Sequence, residues 1–61
     1  MSNVQIAEQY ARQYARFLKP GGQWPHNLNR TKDVQAIIAV YKKYFSRVSY
    51  DQKRDICVCV K

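Results

Sequence analysis

The sequence has few of the residues that small proteins use for covalent or metal-based stabilisation. Its 61 residues include two cysteines, two glycines, two prolines and one histidine. A chain of this length buries only roughly 60% of its unfolded surface on folding, and such small domains usually add disulfides, a metal or oligomerisation. Because cysteine and histidine are scarce, we do not expect disulfides or a metal site to stabilise the fold, and oligomerisation is the remaining means of stabilisation. We therefore expect a homodimer.

Acidic residues are scarce as well. Eleven lysines and arginines outnumber four acidic residues, and the formal net charge is +7. A charge of this density attracts polyanions, which include nucleic acid, acidic protein surfaces and anionic lipid. The sequence also lacks the run of about 18 apolar residues that a membrane span requires, and its first residues do not resemble a secretion signal. We expect a cytoplasmic protein without a membrane partner.

Motifs for catalysis or cofactor binding are missing. Gly21 and Gly22 follow a predicted helix without a Gly-Lys-Ser/Thr sequence, which excludes a phosphate-binding loop. One histidine and four carboxylates form no recognisable acid–base or nucleophile set. Cys57 and Cys59 have the spacing of one edge of a zinc site, but a second ligand pair is missing, and buried reduced thiols are more common. We expect no enzymatic activity, cofactor, metal or small-molecule substrate.

A doubled Gln-Tyr-Ala-Arg at residues 9–16 raises the question of a surface that binds nucleic acid. At about 100° per residue, Tyr10 and Arg12 lie about 200° apart on a helix, so the aromatic and cationic side chains face opposite sides. Ser2 and Gln5 have the spacing of a capping box, and Lys-Pro-Gly-Gly after residue 18 is a typical helix end. The pattern predicts a helix over about residues 3–19.

A second amphipathic pattern follows in the chain. Asn29 or Thr31 is its expected cap, Asp33 suits its first turn, and the helical spacing fails at Tyr50 and Asp51. We expect a helix over about residues 32–48. The apolar arcs of the two helices predict a core and dimer interface formed by Ile6, Tyr10, Tyr14, Phe17, Val34, Ile37, Ile38, Tyr41, Tyr44, Phe45 and Val48.

The fold class expected from these patterns is all-α. Two helices form a helical hairpin over residues 2–49, but their apolar arcs are broader than one neighbouring helix can cover. Two hairpins paired into a homodimeric four-helix bundle would cover them. Residues 56–60, "ICVCV", favour a short C-terminal strand or an irregular tail on which the two cysteines share a face. We expect a single domain over residues 1–61, with residues 50–61 as its tail.

The connection between the predicted helices, residues 20–31, is longer than the roughly two to eight residues usual in helical bundles. Two interpretations of this connection are open. In one, Trp24, Pro25 and Leu28 fold back as a plug over the open end of the hairpin. In the other, the segment is a recognition loop that presents Trp24 and His26 to a partner.

Basic residues flank the start of the second predicted helix. Arg30 and Lys32 oppose the helix dipole, so local stability does not explain them. A helix N-terminus with free N–H groups and basic neighbours is an anion site, while a solvated cluster that maintains solubility is the alternative. If the helices are antiparallel, residues near the end of the first helix join this site. The predicted anion- or partner-binding patch comprises Arg16, Lys19, Arg30, Thr31 and Lys32, and a second basic patch comprises Lys42, Lys43 and Arg47.

The whole chain, from "MSNVQIAEQYARQYARFLKP" through "RTKDVQAIIAVYKKYF", resembles the very small early-region proteins of lambda-like bacteriophages. The likeness lies in a short, basic and helical chain without an enzymatic motif. Such proteins redirect host replication, transcription or cell-cycle machinery by binding host factors. The resemblance therefore implies a partner and a location in the cytoplasm of a bacterial host.

Two hypotheses about function follow. The favoured one is a phage-encoded regulatory protein that binds an acidic host protein through a dimeric helical scaffold. The alternative is a nucleic-acid-binding protein that contacts backbone phosphates with little sequence readout. The sequence favours the first, because no exposed set of aromatic residues and no recognition helix accompanies the charge.

Overall fold

Helices and strands share the chain in the computed structural model, which describes residues 2–61. The strands form one antiparallel sheet in the order β1-β3-β2, so β3 lies in the centre. The fold is therefore α+β, and the expectation of an all-α hairpin paired into a four-helix bundle is wrong. The elements in chain order are α1 (Asn3–Phe17), β1 (Gln23–Asn27), α2 (Val34–Tyr44), β2 (Arg47–Asp51) and β3 (Ile56–Val60).

The start of α1 confirms the predicted capping box. The Ser2 hydroxyl accepts a hydrogen bond from the Gln5 N–H at 3.2 Å, and the Gln5 side-chain oxygen accepts one from the Ser2 N–H at 2.9 Å. The helix ends at Phe17, two residues before the predicted end, because the Leu18 backbone is extended. Its buried positions are the small residues Ala7 and Ala11, which allow the helix backbone to approach α2 closely.

The connection from α1 to β1 is tied to the end of the central strand. Gly21 has a φ of 82°, a conformation that glycine adopts without the cost other residues bear. A Cβ on Gly22 would lie 2.9 Å from the Lys19 carbonyl oxygen. The Gly21 N–H donates to the Lys61 carbonyl at 3.0 Å, and the Lys61 N–H donates to the Gly22 carbonyl at 2.9 Å. These bonds continue the β1–β3 pairing beyond the ends of both strands.

Residues 23–27, expected to be a plug or a recognition loop, form strand β1. Alternate residues of the strand are half-buried, and Trp24 packs against the core beneath the helices. Pro25 lies opposite Val58. Its missing N–H is tolerated because β1 is an edge strand with only one neighbour. Leu28 is buried directly after the strand.

Helix α2 is shorter at both ends than the predicted helix over residues 32–48. Asp33 is at the N-cap position and makes no side-chain capping bond, so neither expected cap is used. The helix ends at Tyr44 without a glycine or proline, because the backbone becomes extended at Phe45. Residues 47–51 then form β2, which gives β3 its second neighbour, with Val48 opposite Cys59.

Both helices end beside the same end of the sheet. The Ser46 N–H, two residues after α2, donates to the Val60 carbonyl at 2.9 Å. The Lys61 ammonium donates to the Leu18 carbonyl at 2.8 Å, directly after α1. Strands β1 and β2 both run antiparallel to β3 and away from this end. Because a returning strand separates the two helices, they do not form an up-and-down hairpin.

The helices cover one face of the sheet, and the core closes within a single chain. Of the predicted core residues, Ile37, Tyr41 and Phe45 are buried. A second group of predicted core residues is half-buried, and three predicted core residues on α1 are exposed. The half-buried group comprises Tyr14, Val34, Ile38, Tyr44 and Val48. The buried apolar residues are Ala7, Ala11, Leu28, Ile37, Val40, Tyr41, Phe45, Cys57 and Cys59.

Candidate interaction surfaces

Three large apolar side chains of α1 face solvent. Ile6 is 39% exposed, Tyr10 is 52% exposed and Phe17 is 82% exposed. At about 100° per residue the three positions fall within about 40° of one another. With a rise of about 1.5 Å per residue they extend over about 16 Å of helix. We call Ile6, Tyr10 and Phe17 the α1 stripe.

A shallow groove of about 350 Å³ lies along this stripe. Its walls are Tyr10 and Phe17, and Gln13 and Tyr14 complete its lining. Tyr14 has a fixed ring orientation, because its ring stacks on Trp24 with centroids 4.1 Å apart and an interplanar angle of 9°. The groove therefore combines two exposed aromatic side chains with a lining side chain held by the core.

An aromatic stack connects α1 to the inner face of the sheet. Trp24 lies between Tyr14 and His26, and its ring centroid is 3.9 Å from that of His26. Tyr41 of α2 meets both Trp24 and His26 edge-on. Offset and edge-on aromatic pairs of this kind add roughly 0.5–1.5 kcal/mol beyond their buried area. Trp24 and His26, expected as loop contacts with a partner, instead hold the two layers together.

Both ring nitrogens of His26 have protein partners. Nδ1 lies 3.3 Å from the Trp24 carbonyl oxygen, and Nε2 lies 3.0 Å from the Tyr41 hydroxyl. A carbonyl oxygen only accepts, so Nδ1 carries the proton and Nε2 accepts from the hydroxyl. Burial lowers the pKa of His26 below its ordinary value of 6.5, against the smaller opposing effect of the Trp24 carbonyl. His26 is therefore neutral near pH 7.

The Tyr41 hydroxyl and the two thiols lie deeper in the same layer. Burial, reinforced by Cys57 and Cys59, raises the pKa of Tyr41 well above its ordinary value. The two cysteines have no exposed surface. The hydrogen bond with Cys57, followed by burial, raises the pKa of Cys59. Thiols without exposed surface are out of reach of electrophiles and metal ions, so both serve here as small core residues. Within residues 2–61, no three His, Cys, Asp or Glu side chains converge in a way that would hold a metal ion.

A buried carboxylate organises the segment before α2. Asp55 accepts from the Tyr50 hydroxyl at 2.6 Å and from the Arg30 backbone N–H at 2.5 Å. These two bonds lower the pKa of Asp55. The residue is only 4% exposed, and its φ of 56° is matched by similar values at Asn29 and Arg30. Asp55 therefore fixes a turn whose conformation is otherwise unfavourable.

The backbone donors expected to bind an anion are occupied by the protein itself. The Arg30 N–H donates to Asp55, and the Thr31 N–H and hydroxyl both donate to the Leu28 carbonyl. Asn29 and Thr31 line a cleft of about 430 Å³ together with Asn3, at the N-terminal end of α1. The start of α2 therefore lies near the start of α1.

The structure does not bring together the five residues of the predicted anion patch. Arg16 lies 13 residues beyond Asn3, which corresponds to about 20 Å along the helix axis, and Lys19 follows the end of α1. Arg30 and Lys32 lie at the opposite end of the molecule, beside Asp55 and the start of α2. The expected antiparallel helices were the reason for grouping these residues, and that geometry does not occur.

The second predicted basic patch lies beside residues that the sequence pattern did not group with it. Lys42 and Lys43 lie in the last turn of α2, and Arg47 begins β2 opposite Val60. All three therefore lie at the end of the sheet where α1 also finishes. Arg16 lies in the last turn of α1 and Lys19 lies two residues beyond the helix end, so both are basic residues of this region. Periodicity alone did not indicate this grouping, because it depends on the strand between the helices.

Comparison with protein-family models, with curated proteins and with solved structures finds no significant match to this chain. Within residues 2–61, the helices are too short or too polar to cross a lipid bilayer.

Proposed function

We propose that this protein is a non-enzymatic binding protein that docks an acidic protein partner on the α1 stripe. The observation that carries the proposal is the exposure of Ile6, Tyr10 and Phe17 on one line of α1. Large exposed apolar side chains in a contiguous row are typical of interaction sites. Aromatic residues in particular often supply much of the binding energy at protein interfaces.

The stripe has no evident role in holding the chain together. Helix α1 packs on the core through Ala7 and Ala11, which are 5% and 0% exposed, with Tyr14 stacked on Trp24. None of the stripe residues belongs to the core cluster or to the residues packed against it. Covering them would therefore bury apolar surface at little cost to the fold, since the helix is already formed.

Charge favours an acidic partner over a second copy of the chain. The formal net charge is +7, and the exposed Arg12 and Arg16 lie about 80–160° around the helix from the stripe residues. Two copies that met through the stripe would each carry this net positive charge and would repel one another, whereas an acidic protein would be attracted. A homodimer remains a prediction from the sequence, and the experiment below detects it. The resemblance to early proteins of lambda-like bacteriophages would make the acidic partner a bacterial host protein.

Quantitative capture followed by direct binding tests the proposal. Three forms of the full chain are immobilised: wild type, the double variant Tyr10→Ser/Phe17→Ser, and the control Ile56→Thr/Val58→Thr. The control removes apolar surface from the half-exposed residues of β3. Nuclease-treated bacterial lysate is passed over each form, and the retained proteins are identified by mass spectrometry. The best candidate is then purified and its dissociation constant is measured with all three forms.

We expect an acidic protein whose affinity falls at least about tenfold with the Tyr10/Phe17 variant and changes little with the control. Equal affinity for all three forms would overturn the proposal. A basic or neutral captured protein would also contradict it. Sedimentation of the wild type as a dimer that dissociates in the Tyr10/Phe17 variant would assign the stripe to a second copy and would likewise reject an acidic partner.

A further inference from the structure

We infer that the end of the molecule where both helices finish is a second binding surface, which takes the phosphate backbone of nucleic acid without reading its sequence. We call this surface the basic end. The inference does not depend on the α1 stripe, because it rests on charge and topology. Its residues are Arg16, Lys19, Lys42, Lys43, Arg47 and Lys61.

The topology collects these residues from five separate parts of the chain. Lys61 follows β3, and its ammonium donates to the Leu18 carbonyl, one residue before Lys19. Ser46 also bonds to the Val60 carbonyl, which places the last turn of α2 and the start of β2 beside the same strand end. Arg47 is directly opposite Val60 in the sheet. The six cations therefore share one end of a molecule only 29 × 26 × 14 Å in size.

The charge of the basic end is not compensated within the protein. In the part of the chain that the structure describes, the side-chain ion pair found is Arg54 with Asp51 at 3.9 Å, which belongs to the turn at the other end of the sheet. Asp33 and Asp55 also lie at that other end, beside the start of α2 and the start of β3. Glu8 accepts a hydrogen bond from the Tyr44 hydroxyl.

Interaction with the helix dipoles explains the positions of some of these cations but not of the others. Arg16, Lys42 and Lys43 lie in the last turns of their helices, where a cation contributes about 0.3–1 kcal/mol. Lys19 lies beyond the end of α1, and Arg47 lies on a strand. These residues, together with Lys61, gain no such stabilisation, although they increase the repulsion among neighbouring cations. Their position is explained if the surface binds a polyanion.

A nucleic-acid backbone fits this surface better than a compact anion does. The cations are spread over an end of the molecule and are not gathered around a cavity, as a site for one phosphate would require. A duplex presents one charge about every 1.7 Å along its axis, so dispersed cations can each find a phosphate. The five residues of the basic end other than Lys61 are exposed. Phe17, at the end of α1, is an exposed aromatic side chain beside Arg16, but a single ring does not form the series of aromatic side chains on which successive bases stack. We therefore expect phosphate contacts with little base recognition.

Fluorescence anisotropy with a labelled duplex of about 20 base pairs tests the inference between about 50 and about 200 mM NaCl. A single strand of the same length is measured in parallel. The variant Lys42→Gln/Lys43→Gln/Arg47→Gln removes three charges from the basic end. The control Lys32→Gln/Lys53→Gln/Arg54→Gln removes three exposed charges elsewhere. Because both variants have the same net charge, they separate a local site from general attraction. Circular dichroism checks that each variant is folded.

We expect the basic-end variant to bind at least about tenfold more weakly and to lower the slope of log affinity against log salt by about three. The control should lose far less affinity. Equal losses in the two variants would show attraction by net charge alone and overturn the inference. Absence of binding at about 50 mM NaCl would overturn it too. Competition by poly-glutamate as strong as that by DNA would identify an acidic protein as the better ligand. The Tyr10/Phe17 variant keeps all six cations of the basic end, so it should bind the duplex normally, and the two proposals can fail separately.

Discussion

At the scale of single residues, His26 shows how a polar side chain becomes part of a core. Trp24 and Tyr41 occupy its ring nitrogens, and its ring stacks on the Trp24 indole. Burial opposes the charged form, so the folded protein holds the proton on His26 less tightly than the unfolded chain does. This difference links the stability of the fold to pH.

The sign of the linkage follows from the lowered pKa. Below about pH 6.5 the unfolded chain takes up a proton that the folded protein resists, so the free energy of unfolding should fall as pH decreases from about 7 to about 5. Urea unfolding at several pH values measures this slope. His26 is the one histidine in the sequence, so His26→Gln should be less stable at neutral pH and should lose most of the slope. An unchanged slope in His26→Gln would contradict the account.

At the scale of secondary-structure elements, α1 has two faces with different roles. Ala11 has no exposed surface and lies against the core, whereas Phe17 is 82% exposed. Ala11→Leu should therefore lower the free energy of unfolding by about 1–3 kcal/mol through overpacking. Phe17→Ser should change it by no more than about 0.5 kcal/mol. Urea unfolding of both variants checks this contrast. Similar destabilisation by the two substitutions would mean that Phe17 is buried, as in a dimer.

Local signals explain which elements were predictable from the sequence. The start of α1 depends on Ser2 and Gln5, three residues apart, and the pattern identified it correctly. The mostly β-branched run at residues 56–60 favoured a short strand, with an irregular tail as the alternative, and the structure has the strand. Strand β1 was missed because Pro25 and His26 are unusual strand residues, and the partner of Pro25, Val58, is 33 positions away in the sequence.

The sequence pattern predicts a second helix that is longer than the observed α2, for a related reason. Phe45 and Val48 are apolar at positions that suit a helix face, although Phe45 is the C-cap of α2 and Val48 lies within β2. Helical spacing accepted them, and the failure at Tyr50 was the sign that the helix had already ended. Pairing with β3 decides the conformation of residues 47–51, and no local pattern contains that information.

The candidate surfaces were only partly predictable. Periodicity identified Ile6, Tyr10 and Phe17 as apolar positions on one side of α1. It did not show that the neighbouring elements cover only the part of this side near Ala7 and Ala11. The basic residues were recognised as well, but their grouping was wrong, because the strand between the helices changes which helix ends are neighbours.

At the scale of the whole molecule, topology gathers cations at one end of the sheet and leaves the α1 stripe along one side of the molecule, with Phe17 beside that end. Two helix–strand units deliver both helix ends to one end of the sheet, and this end carries the cations. The central strand closes the core within one chain, with Cys57 and Cys59 completely buried. A dimer is therefore not required to complete the core. The α1 stripe is left for a partner.

The exposure of individual tyrosines tests this account most directly. Photochemically induced nuclear polarisation with a flavin dye enhances the NMR signals of tyrosine rings that the dye can reach. Tyr10, which is 52% exposed, should be strongly enhanced, and Tyr41, which is 4% exposed, should give no enhancement. The result should be the same in dilute and concentrated solutions of the free protein. A silent Tyr10, or a Tyr41 enhanced as strongly as Tyr10, would contradict the account.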